Sequence, residues 1–225
     1  MFAVMKKEFK SYFLSPIGYI FIGIFLFILS IFFKDLIFYG MSNFEYIFGN
    51  GATILTFLVP VLTMRMFSEE RKTGTEQLLL TSPRSITGIV LGKFFGGASI
   101  ILLTELLTLG YFAILAYFGE PSILIALSTL LGFFLLSLAY ISFGMFASTI
   151  TENQIISYVL SIVVFLATWF LAGSSAGSQI FALIYKFDSF PSGLISLSGI
   201  ITLVSFTVLF ILLTIITLQR RKSTR

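Results

Sequence analysis

An all-α, polytopic membrane protein is the fold class this sequence predicts: six transmembrane helices behind an N-terminal amphipathic interface helix. Two observations predict it. Hydrophobic residues make up 57% of the 225-residue chain, above the roughly 45–50% of a soluble domain even with glycine counted. They gather into long runs, where a crossing helix needs about 20 apolar residues. Second, the 14 Lys and Arg residues flank these runs almost entirely at one set of their ends. The whole chain, 1–225, reads as a single transmembrane domain.

Residues 1–15 form the interface helix. Phe2, Met5, Phe9, Tyr12 and Phe13 recur at helical spacing, and Lys6, Lys7, Glu8 and Lys10 occupy much of the other side. Such a helix lies in the headgroup region with its apolar face down. Ser15 and Pro16 break it, and a retained first span follows over 17–33. Lys34 and Asp35 end that span. The second span, 49–66, contains Pro60, whose ring and missing N–H predict a local kink. Arg65 closes it.

The one long polar stretch is 68–85. Glu69, Glu70, Arg71 and Lys72 open it; Thr73 and Glu76 then have capping-box spacing. This predicts a short helix over 76–81 carrying Leu78, Leu79 and Leu80, stopped by Pro83. The third span, 86–117, is too long for one untilted crossing, so it tilts or starts outside the hydrocarbon. A Gly119-Glu120-Pro121 turn leads to span four, 123–146. Thr149 with Glu152, and Thr151 with Gln154, have cap spacing ahead of span five, 155–171. Residues 172–198 are rich in Gly and Ser, and their apolar runs at 181–185 and 194–197 are too short to cross. They predict short helices or re-entrant pieces. Span six is 200–218, anchored by Gln219, Arg220, Arg221 and Lys222.

Six spans put both termini on one side together with Lys6, Lys7, Lys10, Arg65, Arg71, Lys72, Arg84, Lys93, Arg220, Arg221, Lys222 and Arg225, leaving Lys34 and Lys186 opposite. Twelve against two is a strong positive-inside bias, so both termini and the 68–85 loop are expected in the cytoplasm.

The chain has no Cys and no His, which removes disulfides, thiolate nucleophiles, imidazole bases and Cys/His zinc sites. The basic residues flank apolar runs instead of forming a face, so nucleic acid is not an expected partner. No catalytic residue and no metal site is predicted. Glu105 is the single acid deep in an apolar run. It must face protein, water or a partner charge, as a protonated acid or bonded to Thr104 or Thr108. Gly88, Gly92 and Gly96 form a small-residue stripe that allows close helix approach. Gly92-Lys93 does not make a phosphate loop, because the spacing back to Gly88 is short and Phe94 replaces the Ser or Thr.

The chain resembles the ABC-2 type permease family, and more narrowly the short six-span permeases similar to the gliding-motility-associated subunit. The resemblance opens with Lys7-Glu8-Phe9-Lys10-Ser11-Tyr12-Phe13-Leu14-Ser15-Pro16, where the family has its interface, or elbow, helix. Its most specific part follows span two: Arg65, Glu69-Glu70-Arg71, Gly74-Thr75-Glu76, Leu78-Leu79-Leu80 and Thr81-Ser82-Pro83. In the family this is the coupling helix docked on the ATP-binding subunit. Further matches are Thr151-Glu152-Asn153-Gln154, at the turn between spans four and five, and Phe190-Pro191-Ser192-Gly193, in the external short-helix region.

The resemblance implies an ABC-2 exporter (type V) fold. It implies ATPase-coupling roles for Glu69, Glu70, Arg71, Gly74, Thr75, Glu76, Leu78, Leu79, Leu80, Pro83, Glu152, Asn153 and Gln154. It also implies interface-helix roles for Lys6, Lys7, Phe9, Lys10, Tyr12, Phe13 and Pro16. The expected partners are two copies of an ABC ATP-binding subunit, a second permease (the same chain or a related one) and membrane lipid. This chain would bind no cofactor; ATP and Mg2+ would sit in the partner ATPase. The expected function is export of an amphiphilic lipid-, glycan-, peptide- or drug-like cargo across a bacterial or archaeal cytoplasmic membrane. The alternative is a scaffold that binds the ATPase without moving cargo.

Overall fold

The computed structural model describes residues 1–77, 85–171 and 183–223, and these are all-helical or irregular. Leu78, Leu79, Leu80 and Pro83 lie outside the described residues, as do Arg84, Arg225 and most of the expected short-helix region before 183. The helices are α1 (Phe2–Leu14), α2 (Pro16–Phe38), α3 (Phe44–Thr63), α4 (Ser68–Lys72), α5 (Ile86–Phe118), α6 (Ile123–Ile150), α7 (Gln154–Leu171), α8 (Leu183–Phe187) and α9 (Leu197–Ser223).

Five of the described helices are long and apolar enough to cross a membrane: α2, α3 with its extension into α4, α5, α6 and α9. The apolar helix α7 is shorter. Each follows from its sequence. Ser15 is extended, and Pro16 takes the first position of α2, where its missing N–H has no helical partner to lose. Helix α3 runs on through the buried Pro60. Helix α5, with 33 residues, is about 50 Å long at 1.5 Å per residue, well beyond a hydrocarbon core of about 30 Å. Its first turns are covered by α1, so α1 and the start of α5 pack as one layer at that end.

Helix α6 is the hub, packed on α3, α5, α7 and α9. Aromatic rings fill the space around it. Phe133 meets Phe25 at 5.7 Å and Phe48 at 4.9 Å, and Tyr140 stacks on Phe165 at 4.1 Å. Many hydroxyls inside the bundle return to their own helices: Ser137 donates to the Phe133 carbonyl and Thr214 to that of Phe210. This is how Ser and Thr are accommodated without water.

At the end of the bundle away from α1, Phe190 is buried against α6. Ser128 donates to its carbonyl at 2.9 Å, and a Cβ at Gly132 would collide with its ring. The two short apolar runs, expected as short helices or re-entrant pieces, differ. Residues 183–187 are helical, but 194–196 carry no helix and lead directly into α9. A four-residue apolar run next to Pro191 and Gly193 has too few internal hydrogen bonds to nucleate a helix.

Candidate functional site

The charges gather where α1, the α3–α5 connection, the α6–α7 turn and the end of α9 meet. The glycine stripe builds the first part. A Cβ at Gly92 would lie 2.7 Å from Val4 Cβ, and one at Gly96 would lie 2.7 Å from Glu8 Cβ. Only glycine lets α1 lie this close along α5. The approach carries Glu8 to Lys93, two turns inside α5. Lys93 is 2% exposed. Its Nζ donates to Glu8 Oε1 at 2.9 Å and to Glu70 Oε1 at 2.8 Å, and lies 5.2 Å from the centre of the Phe67 ring. Three helices, α1, α4 and α5, therefore converge on one buried ammonium.

Arg65 makes a second tie to α1. It donates to Ser11 Oγ at 3.4 Å, lies 3.6 Å from Glu69, and its guanidinium sits 5.8 Å from the Tyr12 ring centre. The Tyr12 hydroxyl donates to the Leu62 carbonyl at 3.1 Å. Burial, helped by the Glu8 charge and opposed by Arg65, pushes the Tyr12 phenol well above its ordinary value, so it remains a neutral donor. A polar cavity of about 310 Å³ lies between α1 and this segment, lined in part by Lys7, Glu8, Arg65, Glu69, Glu70 and Thr75.

Helix α4 has Glu69 and Glu70 in its first turn and Arg71 and Lys72 in its last, which suits the helix dipole. The capping box expected of Thr73 and Glu76 is not formed. The Thr73 hydroxyl donates back to the Glu69 carbonyl at 2.9 Å and lies 2.9 Å from that of Thr75. Gly74, at φ +73°, turns the chain in a conformation that costs glycine little. Glu76 is thereby buried and takes a hydrogen bond from Arg221 at 3.0 Å. The longer-range charge partner wins over the local cap.

Two arginines close the end of α6. Arg221 donates to the Thr149 carbonyl at 2.6 Å, and Arg71 to that of Ile150 at 3.0 Å. Arg71 also pairs with Glu152 at 2.9 Å. The turn itself is capped by Asn153, whose Oδ1 accepts from the Ile155 N–H at 2.9 Å, and by Thr151, which accepts from the Asn153 N–H at 3.1 Å. Gln154 then opens α7.

The structure thus brings together Glu69, Glu70, Arg71, Gly74, Thr75, Glu76, Glu152, Asn153 and Gln154 in one junction, with Tyr12 beside it. Lys6 and Lys10 are exposed on α1; Phe9 and Phe13 pack together at 5.0 Å, and Phe13 meets Tyr19 at 5.4 Å. Glu105 stands apart. It is buried, and its Oε1 has no hydrogen-bond partner. Thr104 bonds the Ile100 carbonyl, and Thr108 bonds the backbone carbonyl of Glu105, so of the two alternatives the threonine bond to the carboxyl group is not made.

In the sequence Glu8 was legible as part of the polar side of the interface helix, and Lys93 and Arg221 chiefly as topological charges, not as partners in this junction. The usable signal for Lys93 was its position inside an apolar helix, where an ionisable group needs a partner. Among the described residues no group of three or more His, Cys, Asp or Glu is placed to hold a metal ion. Apart from the Arg65–Glu69 pair, the ion pairs of the junction join separate segments of the chain, so what the arrangement can do is pass displacement between them. A family model described as ABC-2 family transporter protein matches residues 33–218. No curated protein matches the chain.

Proposed function

The chain belongs to the ABC-2 family of transporter proteins, and on that footing we propose that it is the membrane-spanning permease subunit of an ATP-driven exporter. Helices α2, α3, α5, α6, α7 and α9 make six crossings, with the charged junction and both termini on the cytoplasmic side. This follows the twelve-to-two distribution of Lys and Arg. The segment 69–83 and the turn 151–154 form the surface on which a separate ATP-binding subunit docks. Two such subunits and a second permease, identical or related, complete the transporter. ATP and Mg2+ act in the partner. The cargo is amphiphilic, of lipid-, glycan-, peptide- or drug-like chemistry, which suits a bundle with 28 phenylalanines.

The observation that carries this reading is the junction itself. The segment from Arg65 to Glu76 is tied by ion pairs and hydrogen bonds to α1, α5, the α6–α7 turn and α9. A push delivered there is distributed through the bundle with no further machinery. The test is purification of the chain from its own membranes. An ATP-hydrolysing subunit should accompany it, and reconstituted hydrolysis should rise with one cargo. A complex that hydrolyses ATP indifferently to every cargo would favour the scaffold role.

A further inference from the structure

Arg71 already ties the α3–α5 connection to the end of α6, and Arg221 brings the end of α9 into the same contact. Arg221 Nη1 lies 3.0 Å from Glu76 Oε1, and its Nη2 donates to the Thr149 carbonyl at 2.6 Å. The acid is almost fully buried and the guanidinium only partly exposed, with side-chain exposures of 6% and 24%. A planar guanidinium donates to a carboxylate and a carbonyl through a rigid fork that fixes their relative positions; a lysine ammonium can reach two acceptors but does not fix their angle. Arg221 is a last-turn cation of α9, and α9 packs extensively on α6.

We propose that Arg221 is a positioning residue of the coupling apparatus: it makes the end of α9, with the carboxyl end of α6, a second receiver of the motion delivered to the 69–77 segment. The first receiver is α5, through Glu70 and Lys93. Movement of Glu76 either displaces Arg221 or breaks their bond, and displacement of Arg221 releases or pulls the last turn of α6. The inference rests on the coupling reading of that segment and adds which spans respond to it.

The test uses the full chain in lipid nanodiscs and three variants: Glu76→Gln, Arg221→Gln and the double variant. Amide hydrogen exchange of residues 73–77 and 148–150 should rise about tenfold or more in each single variant, as expected for loss of a charge-assisted bond. Exchange in α2 and α3 should stay unchanged, which guards against general unfolding. The double variant should exchange no faster than either single one. Arg221→Lys, which keeps the charge and loses the fork, should recover less than half of the effect. In complexes isolated with their ATP-hydrolysing subunit, Arg221→Lys should leave that subunit bound and cut the cargo-dependent rise in hydrolysis by about fivefold. Additive exchange effects, unchanged exchange at 73–77, or full coupling in Arg221→Lys would overturn the inference alone. A wild-type chain that never retains such a subunit would overturn the coupling reading, and this inference with it.

Discussion

Lys93 Nζ lies 2.8 Å from Glu70 Oε1, so a lysine inside a long apolar helix is fastened to the short charged helix outside it. Glu8 holds the same ammonium from the other side at 2.9 Å. Removing one member of a buried ion group leaves its partners uncompensated, at a cost of about 3–5 kcal/mol. Lys93→Ala is therefore expected to lower stability by that amount in denaturant titrations in mixed micelles. Restoring neutrality with Glu8→Gln and Glu70→Gln in the same chain should recover most of it. An unchanged Lys93→Ala midpoint would mean that α1, α4 and α5 are not joined through this group.

The seat of α1 on α5 depends on two absent side chains. Gly92→Ala places a methyl group 2.7 Å from Val4 Cβ, and overpacking of this kind costs about 1–3 kcal/mol. Trimming the neighbour in Val4→Ala/Gly92→Ala should return part of the loss. A methyl group at Gly49 would meet nothing within 4 Å, so Gly49→Ala should cost nothing and serves as the control.

Tyr12 gives a test with a pH axis. Its hydroxyl bonds the Leu62 carbonyl, and loss of that bond in Tyr12→Phe should cost about 1 kcal/mol at neutral pH. The phenol is raised above its unfolded value of 10.0, so the folded state holds the proton that the unfolded chain gives up. The wild-type advantage is therefore constant below pH 10.0 and falls as pH rises beyond it. The difference in stability between wild type and Tyr12→Phe, followed across that boundary, checks both statements.

Much of the fold was legible because its signals are long. Runs of apolar residues bounded by charges set the spans, and Ser15-Pro16 marked the break between α1 and α2. The spacing of Gly88, Gly92 and Gly96 announced a close contact, but the sequence had no means of saying that α1 was the helix in contact. The partnerships of the junction were hidden for the same reason. Glu76 and Arg221 are 145 positions apart, and a local pattern, Thr73 with Glu76, pointed to a cap that loses to the distant arginine. The acids and the single arginine of the 69–76 stretch stood out through family resemblance. Lys93 did not, because a cation near the start of a span reads first as a topology marker.

Glu105 shows the opposite case, an acid that sequence alone singled out and that the bundle leaves without a partner for Oε1. An unsatisfied buried polar group costs about 1–3 kcal/mol. Glu105→Leu should accordingly raise stability by that amount in the same micelle titration. A loss instead would show that the carboxyl group makes a stabilising contact within the bundle.

The central claim is that residues 69–77 grip an ATP-hydrolysing partner from the cytoplasmic face. Thr75 is exposed, and a photo-reactive amino acid placed there in living cells tests it most directly. The account predicts a covalent adduct with an ABC ATP-binding subunit. Adducts with lipid alone, or labelling of that position by a reagent confined to the outside of the cell, would contradict it.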